Sequence, residues 1–262
     1  MQIIQGTTAF EIEGKSAVAI GKFDGIHEGH RLLLSHILKE RENGRRSVVF
    51  TFDPPASVFF GKSGEGQLTT RREKRQIFAE LGIDVLVEFP LTAETAAISP
   101  EKFIEEILCG QLHAAYVAAG TDLSFGYRGQ GNQELLQKMA DTFGYEVDIV
   151  DKIRKDGREI SSSYVREEIG QGHMERAAEL LGSAYEVSCV VEEGKRLGRR
   201  IGMPTLNLYP EKDKLLPPRG VYYSMVFWDG REYPGITNIG YKPTVNDTPL
   251  ISVETYLYDF KE

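Results

Sequence analysis

The most constraining feature of the sequence is a strict alternation of short apolar runs with amphipathic stretches between Ala17 and about Asp151. Five runs have the length and composition of buried strands: AVAIG (17–21), SVVFTF (47–52), DVLVEF (84–89), AYVAAG (115–120) and EVDIV (146–150). The stretches between them carry apolar residues at helical spacing: HRLLLSHILKER, REKRQIFAELG, PEKFIEEILCG and QELLQKMADTFG. Because strands that alternate with helices pair in parallel through right-handed crossovers, we predict a doubly wound α/β domain.

Local signals mark where these helices begin and end. Thr70 and Glu73 have the spacing of a capping box. Ser99 stands before Pro100, which places a capping side chain ahead of a proline at the first helical position. Gly144 follows the fourth helical stretch, as expected at a helix end. These signals strengthen the α/β prediction.

The character of the sequence changes near Gly182. The following segments are rich in β-branched and aromatic residues and are punctuated by Gly and Pro: YEVSCVVEEG, PTLNLY, GVYYSMVFWDG, REYPGITNIG and ISVETYLYDF. This pattern is typical of a small antiparallel β-barrel. We therefore predict two domains, residues 1–182 and residues 183–262, with a hinge at 182–186.

Charge and hydropathy exclude several classes of protein. The formal net charge of the 262 residues is −8, which argues against a general nucleic-acid-binding surface. No apolar run approaches the roughly 20 residues that cross a bilayer. The amino terminus, MQIIQGTTAFEIEGK, lacks the basic start and apolar centre of a signal peptide. We expect a cytoplasmic protein that binds neither nucleic acid nor membranes.

The segment GKFDGIHEGH (21–30) lies between the first predicted strand and the first predicted helix. Gly21, Gly25 and Gly29 allow a tight turn at the carboxyl end of a strand, and a helix amino terminus attracts phosphate. His27 and His30, three residues apart, can donate hydrogen bonds to a phosphate in the transition state. Two alternatives are structural histidines and a zinc site, although no third zinc ligand is evident. We predict a nucleotide site.

This segment resembles the HxGH signature of nucleotidyltransferases, and its longer form, GxFDGxHxGH, is typical of the prokaryotic FAD synthetase family. Further similar segments follow in order: TFDP (51–54), LTTRREKR (68–75), GTDLSFGYRGQGN (120–132) and ISSSYVR (160–166). The sequence departs from the family pattern at Lys22, where Asn is common, and at Pro55, where His is common.

The resemblance implies roles for individual residues. It implies catalytic roles for His27 and His30 and a flavin contact for Asp122. The residues implied to bind the nucleotide are Gly21, Phe23, Asp24, Gly25, Gly29, Ser162, Ser163 and Arg166. Taken alone, SSSYVR favours a helix cap with an exposed arginine. Phe125, in the same motif as Asp122, is as readily a core residue.

The segment GKRLGRRIGMPTLNL (194–208) resembles the GRxxGxPTxNL signature of riboflavin kinases. GVYYSMV (220–226), GITNIGYKPT (235–244) and SVETYLYDF (252–260) are similar to the segments that follow it in that family. Thr205 and Asn207 are two residues apart, so on a strand they face the same way, and oxygen ligands suit Mg²⁺. The resemblance implies that Thr205 and Asn207 bind Mg²⁺–ATP and that Glu254 is the catalytic base. It also implies nucleotide contacts by Gly194, Gly202 and Pro204 and a flavin contact by Asn238.

Spacing alone favours an outward-facing carboxylate on a strand for Glu254. The ordered series of similar segments favours the catalytic role. Kinase modules of this family usually continue past the DF pair, so the module ending at Glu262 is expected to be C-terminally incomplete and weakly active.

Together the two resemblances imply a bifunctional riboflavin kinase and FAD synthetase. Such an enzyme phosphorylates riboflavin to FMN and transfers an adenylyl group to FMN, with ATP as substrate and Mg²⁺ as cofactor. One alternative is a nucleotidyltransferase that acts on another phosphorylated substrate. Another is a flavin-binding regulatory protein whose kinase half no longer turns over.

Overall fold

The computed structural model describes residues 1–61, 66–192, 205–242, 250–258 and 260. Its first half contains a six-stranded sheet in which every neighbouring pair is parallel, in the order β1-β4-β3-β2-β5-β6. The strands are β1 Gln2–Gln5, β2 Ser16–Ile20, β3 Arg46–Asp53, β4 Val85–Pro90, β5 Ala114–Gly120 and β6 Glu146–Val150. All five residues of β2 are buried, as expected for an apolar strand covered on both faces.

Helices cover both faces of this sheet. The helices of the described residues are α1 Glu28–Lys39, α2 Ala56–Phe59, α3 Arg71–Glu80, α4 Pro100–Lys102, α5 Gln133–Phe143, α6 Ser162–Gly170 and α7 Met174–Leu181. Leu34 of α1 and Phe78 of α3 belong to one apolar cluster, on the side of β2 that carries Ala17. Leu136 of α5 belongs to a second cluster, on the side that carries Val18. Each fully buried side chain of this size stabilises the fold by about 1.5–3 kcal/mol. The doubly wound α/β prediction is confirmed.

The predicted helix ends are also confirmed. The Thr70 hydroxyl accepts a hydrogen bond from Glu73 N (3.3 Å), and the Glu73 carboxylate accepts one from Thr70 N (2.9 Å). The Ser99 hydroxyl caps α4, with Pro100 in its first turn. Gly144 ends α5 in the left-handed conformation.

Two elements differ from the sequence prediction. The helix that begins at Pro100 becomes a π-helix over Phe103–Gln111, in which Leu112 N bonds to Ile107 O, five residues earlier. Strand β1, which the alternating pattern did not include, pairs with β4 at the edge of the sheet. Strand β1 forms through its pairing with β4 rather than from local sequence alone.

The second half contains one five-stranded antiparallel sheet in the order β11-β12-β13-β10-β9. Its strands are β9 Cys189–Glu192, β10 Thr205–Pro210, β11 Gly220–Trp228, β12 Arg231–Lys242 and β13 Leu250–Leu257. A small hairpin, β7 Arg154–Lys155 with β8 Arg158–Glu159, precedes α6. The antiparallel β architecture of the second half is confirmed. In the part of the chain that the structure describes, no helix is long and apolar enough to span a bilayer.

Candidate active sites

The first candidate site is the turn between β2 and α1, at the carboxyl end of the central strands. Gly21 N donates to Phe50 O of β3 (3.1 Å). Gly25 has φ +86°, and a Cβ there would lie 2.7 Å from Leu68 Cδ1, so only glycine fits. Phe23 and Ile26 also have positive φ, and their side chains are completely buried. The side chains of this turn, residues 21–30, thus anchor it in the core; we call the turn the cradle.

Two histidines lie where α1 begins. His27 is the N-cap residue and His30 lies in the first turn, and their rings stack with centroids 3.8 Å apart and planes 19° from parallel. A Cβ on Gly29 would lie 3.2 Å from Cε1 of His27, so the missing side chain makes room for this ring. The first helical hydrogen bond runs from Arg31 N to His27 O. The N–H groups that precede it are left for other acceptors, which makes the site suitable for an anion.

Burial keeps both imidazoles neutral. Desolvation lowers the pKa of His27 to about 4, against the opposing charges of Asp122 and Asp24. Desolvation also lowers the pKa of His30 well below its ordinary value, and the charges of His27 and Lys74 add to this. The Nδ1 atoms of both rings are buried and have no hydrogen-bond partner among the described residues. Neutral rings with unused polar atoms can donate hydrogen bonds to a phosphate.

A second helix begins beside the cradle. The Ser161 hydroxyl caps α6 by accepting from Tyr164 N (3.2 Å), so the cap interpretation of SSSYVR is correct for this serine. The Ser162 hydroxyl donates to the backbone carbonyl of Asp24 (2.7 Å). The Arg166 guanidinium pairs with the Asp24 carboxylate and is half-buried rather than exposed. The amino termini of α1 and α6 are therefore joined at Asp24.

Several of the predicted nucleotide contacts have other neighbours in the protein. Asp24 Oδ1 accepts hydrogen bonds from Leu68 N (3.0 Å) and Thr69 N (3.1 Å), while its other oxygen faces Arg166. The Phe23 ring lies in the core, 5.2 Å from the His30 ring. Ser163 is exposed at the start of α6. Any nucleotide contact by Phe23 would use its backbone, and the nucleotide roles of all three residues remain predictions.

Asp122 follows β5, which pairs with β2, so it lies at the same edge of the sheet as the cradle. Its carboxylate is exposed and lies 3.1 Å from Lys152 Nζ, beyond the end of β6. Phe125 is 3 % exposed and belongs to the apolar core. The core alternative for Phe125 is therefore confirmed.

Sequence reasoning missed two lysines at the first site. Lys152 pairs with both Asp122 and Glu159. The buried Lys74 donates from Nζ to the backbone carbonyl of Lys22 in the cradle (3.0 Å), and desolvation lowers its pKa. A charged residue on the apolar stripe of a predicted helix was the available signal for Lys74. For Lys152 the sequence carried no such signal.

Zinc binding at HxxH lacks support in the described residues. Among them, no group of three His, Cys, Asp or Glu side chains could hold a metal ion.

The second candidate site is a polar row across the antiparallel sheet. Asn207 on β10 lies directly opposite Glu254 on β13, and Glu254 lies directly opposite Asn238 on β12. Directly opposite residues project from the same face with Cβ atoms about 5 Å apart. Thr205, two residues before Asn207, shares this face. The register thus brings together four predicted residues from three different segments of the sequence.

The row is partly open to solvent. Asn207 and Glu254 are half-buried, whereas Thr205 and Asn238 are exposed. The predicted nucleotide contacts Gly194, Gly202 and Pro204 lie outside the described residues. The hydroxyl of Thr205 and the amide oxygen of Asn207 are hard donors of the type that Mg²⁺ prefers, so the residues present fit this ion.

Comparisons with known proteins match two parts of the chain to two families. The sequence matches the family model of FAD synthetase over residues 9–164 and that of riboflavin kinase over residues 181–262. A bifunctional riboflavin kinase/FMN adenylyltransferase from Listeria monocytogenes is 35% identical over 93% of this chain and 78% of the relative. The protein of that name from Bacillus subtilis is 33% identical over 96% of this chain and 81% of the relative.

A solved structure is similar over nearly the whole chain. It is a crystal structure named as a macrolide-efflux protein from Streptococcus pneumoniae. The TM-score is 0.87 at 26% identity, over 99% of this chain and 85% of that one. Its name differs from those of the sequence relatives. The similarity of the two structures supports the fold of this chain.

Proposed function

The chain belongs to the bifunctional riboflavin kinase/FMN adenylyltransferase family, and from this premise we propose that each candidate site carries one of the two reactions. The cradle transfers an adenylyl group from ATP to FMN. The polar row on the antiparallel sheet serves the phosphorylation of riboflavin by ATP. The domain boundary that we propose, 1–182 and 183–262, separates the two sites.

In the first reaction an oxygen of the FMN phosphate attacks the α-phosphorus of ATP. The new P–O bond forms as the α–β phosphoanhydride breaks, and pyrophosphate leaves. This reaction needs no covalent nucleophile from the protein. Alignment of the two substrates and stabilisation of the negative charge on the phosphates are sufficient. His27 and His30 donate hydrogen bonds to the phosphate oxygens, while Ser162, Ser163 and Arg166 hold the phosphates at the start of α6.

The observation that carries this proposal is the pair of neutral, stacked histidines at the amino terminus of α1, with unused polar atoms. Neutral donors preorganised in a buried site stabilise developing negative charge without reorganisation. Gly21, Gly25 and Gly29 keep the backbone close to the phosphates. Asp122, at the same edge of the sheet, contacts the flavin.

In the second reaction the 5′-hydroxyl oxygen of riboflavin attacks the γ-phosphorus of ATP. The bond to the γ-phosphorus breaks on the ADP side, and Glu254 accepts the hydroxyl proton. Asn238, beside Glu254, orients the flavin. Thr205 and Asn207 hold Mg²⁺ with ATP, and Gly194, Gly202 and Pro204 contact the nucleotide. When bound, Mg²⁺ neutralises charge on the phosphates.

One incubation tests both assignments. The chain is supplied with riboflavin, ATP and Mg²⁺, and FMN and FAD are separated by chromatography; a parallel reaction starts from FMN. We expect FAD in the parallel reaction and FMN as an intermediate in the first. FAD formation from FMN without any phosphorylation of riboflavin would support the regulatory alternative for the kinase half. No product in either reaction would contradict the proposed function, and the expected cytoplasmic location stays a prediction.

A further inference from the structure

A segment from the second half of the chain, Asp213–Leu215, packs against residues 66–70 behind the cradle. Gln67 N donates to Asp213 O (2.6 Å), and Leu215 N donates to Gln67 O (2.9 Å). These bonds form a parallel bridge between Gln67 and Lys214. Residues that are almost 150 positions apart are therefore held together as in a small sheet.

The Lys214 ammonium is the centre of this contact. It donates to Leu68 O (2.7 Å) and to Glu73 Oε2 (2.7 Å). The side chains of Lys214 and Glu73 are only 1 % and 2 % exposed. The Tyr185 ring lies 4.3 Å from the ammonium, and the Tyr185 hydroxyl donates to Leu215 O (2.6 Å).

The Glu73 carboxylate joins three parts of the chain. Besides Lys214, it accepts hydrogen bonds from Thr70 N (2.9 Å) and from Ser188 N (2.7 Å). The first belongs to the capping box of α3, and the second comes from the segment just before β9. The ion pair of Lys214 and Glu73 thus contacts residues from both halves of the chain.

The other side of residues 66–70 faces the cradle. Leu68 N and Thr69 N donate to the Asp24 carboxylate (3.0 and 3.1 Å), and Gly25 N donates to the Thr69 hydroxyl (3.1 Å). Gly66 O accepts from Arg166 Nε (3.3 Å). A displacement of this segment would therefore move Asp24, Gly25 and Arg166 together.

We propose that Lys214 is a positioning residue for the adenylyltransferase site, acting through Glu73 and Leu68 on the cradle. The inference rests on the proposed function of that site. A buried ion pair contributes little net stability compared with an apolar pair of similar size, so stability alone is a weak reason for it. Its hydrogen bonds instead fix the segment that holds Asp24 and Gly25. Misplacing reacting groups by about 1 Å can cost about 10²-fold in rate.

Full-length variants test this inference. Lys214→Met removes the charge but leaves Glu73 buried without its cation, so it can also unfold the protein. The double variant Glu73→Gln/Lys214→Met removes both charges and avoids that problem. Lys214→Arg keeps the cation. Lys212→Met, the matched control, removes an exposed lysine two residues before Lys214. Thermal unfolding, KM and kcat for both reactions, and calorimetric ATP binding are measured for each.

We expect the double variant to fold and to show kcat/KM for FMN adenylylation reduced by about 10-fold or more. Riboflavin phosphorylation should stay within twofold of wild type, Lys214→Arg should recover part of the loss, and Lys212→Met should behave as wild type. A folded double variant with normal adenylylation would overturn the proposal. So would a double variant that fails to fold, because the pair would then serve stability.

The failure of the proposed function has a different signature. If the wild-type chain makes no FAD from FMN, the adenylyltransferase assignment is wrong, whatever the variants do. Calorimetry still tests Lys214 in that case: ATP binding weakened about 10-fold in the double variant would support positioning of the cradle, and unchanged binding would contradict it.

Discussion

The two sites are built by different means. The first lies where α1 and α6 begin, and its histidines, Asp24 and Arg166 are held by caps, buried rings and hydrogen bonds. The second lies on a sheet face, where the alignment of Asn207, Glu254 and Asn238 follows from strand register. Burial therefore tunes the protonation of the first site, whereas pairing of the strands sets the geometry of the second. Substitutions at one site should therefore leave the activity of the other unchanged.

The largest expected effect is at Glu254. Glu254→Gln keeps the size of the side chain but removes the base, so riboflavin phosphorylation should fall by about 10³-fold, within the range for general-base catalysis. FAD formation from supplied FMN should stay within twofold of wild type. Steady-state assays of both reactions check this. Glu232→Gln, an exposed glutamate at the far end of β12, is the matched control. Robust phosphorylation by Glu254→Gln would remove this residue from the mechanism.

The reciprocal substitution is at the histidine pair. His27→Ala or His30→Ala should lower FAD formation from FMN and ATP by about 10²-fold, the scale for losing one preorganised donor. Riboflavin phosphorylation should not change. His113→Ala is the control, because His113 lies ahead of β5 at the opposite edge of the sheet. Wild-type FAD formation by both variants would show that the histidines do not act on phosphate.

The sequence predicted the parts of the fold that are encoded locally. The apolar runs, the capping box at Thr70 and the helix end at Gly144 all appeared where expected. Strand β1 was missed because QIIQ is short and mostly exposed, and it becomes a strand only by pairing with β4. The π-helical turn over Phe103–Gln111 was missed because its apolar spacing also fits an α-helix.

In the candidate sites, too, locally encoded features were predicted and long-range contacts were missed. The glycines and histidines of the cradle are contiguous, so their pattern was visible in the sequence. Lys214 was missed because it is 141 residues from Glu73 and meets it only in the folded chain. The predicted boundary at residue 182 likewise could not reveal that Tyr185 and Lys214 pack behind the first site.

The third prediction concerns pH, which should act on the first site through His27. The pKa of His27 falls from 6.5 to about 4 on folding, so below pH 6.5 the unfolded chain binds more protons than the folded chain. Above pH 6.5 the lowered pKa of His27 therefore does not change the free energy of unfolding. As the pH falls from 6.5 toward 4, it lowers that free energy progressively. At pH 5 the cost is on the order of 2 kcal/mol.

Urea unfolding at pH 7.5 and pH 5 measures this cost. The loss of stability on acidification should be smaller in His27→Asn than in wild type, since asparagine does not titrate. His113→Asn serves as the control and should lose as much stability as wild type. Equal losses in wild type and His27→Asn would contradict the lowered pKa.

The smallest expected effect compares two adjacent residues of β13. Glu254 belongs to the polar row, whereas the fully buried Thr255 projects from the other face and bonds to the Thr237 hydroxyl (2.8 Å). Thr237 keeps a second partner in Ser224 (2.7 Å), so Thr255→Val leaves it hydrogen-bonded. The substitution should therefore cost about 1 kcal/mol of stability, the typical contribution of one hydrogen bond. Riboflavin phosphorylation should stay within twofold of wild type, while Glu254→Gln, one residue away, abolishes most of it. A large kinetic loss in Thr255→Val without loss of folding would show that both faces of the sheet contribute to the second site.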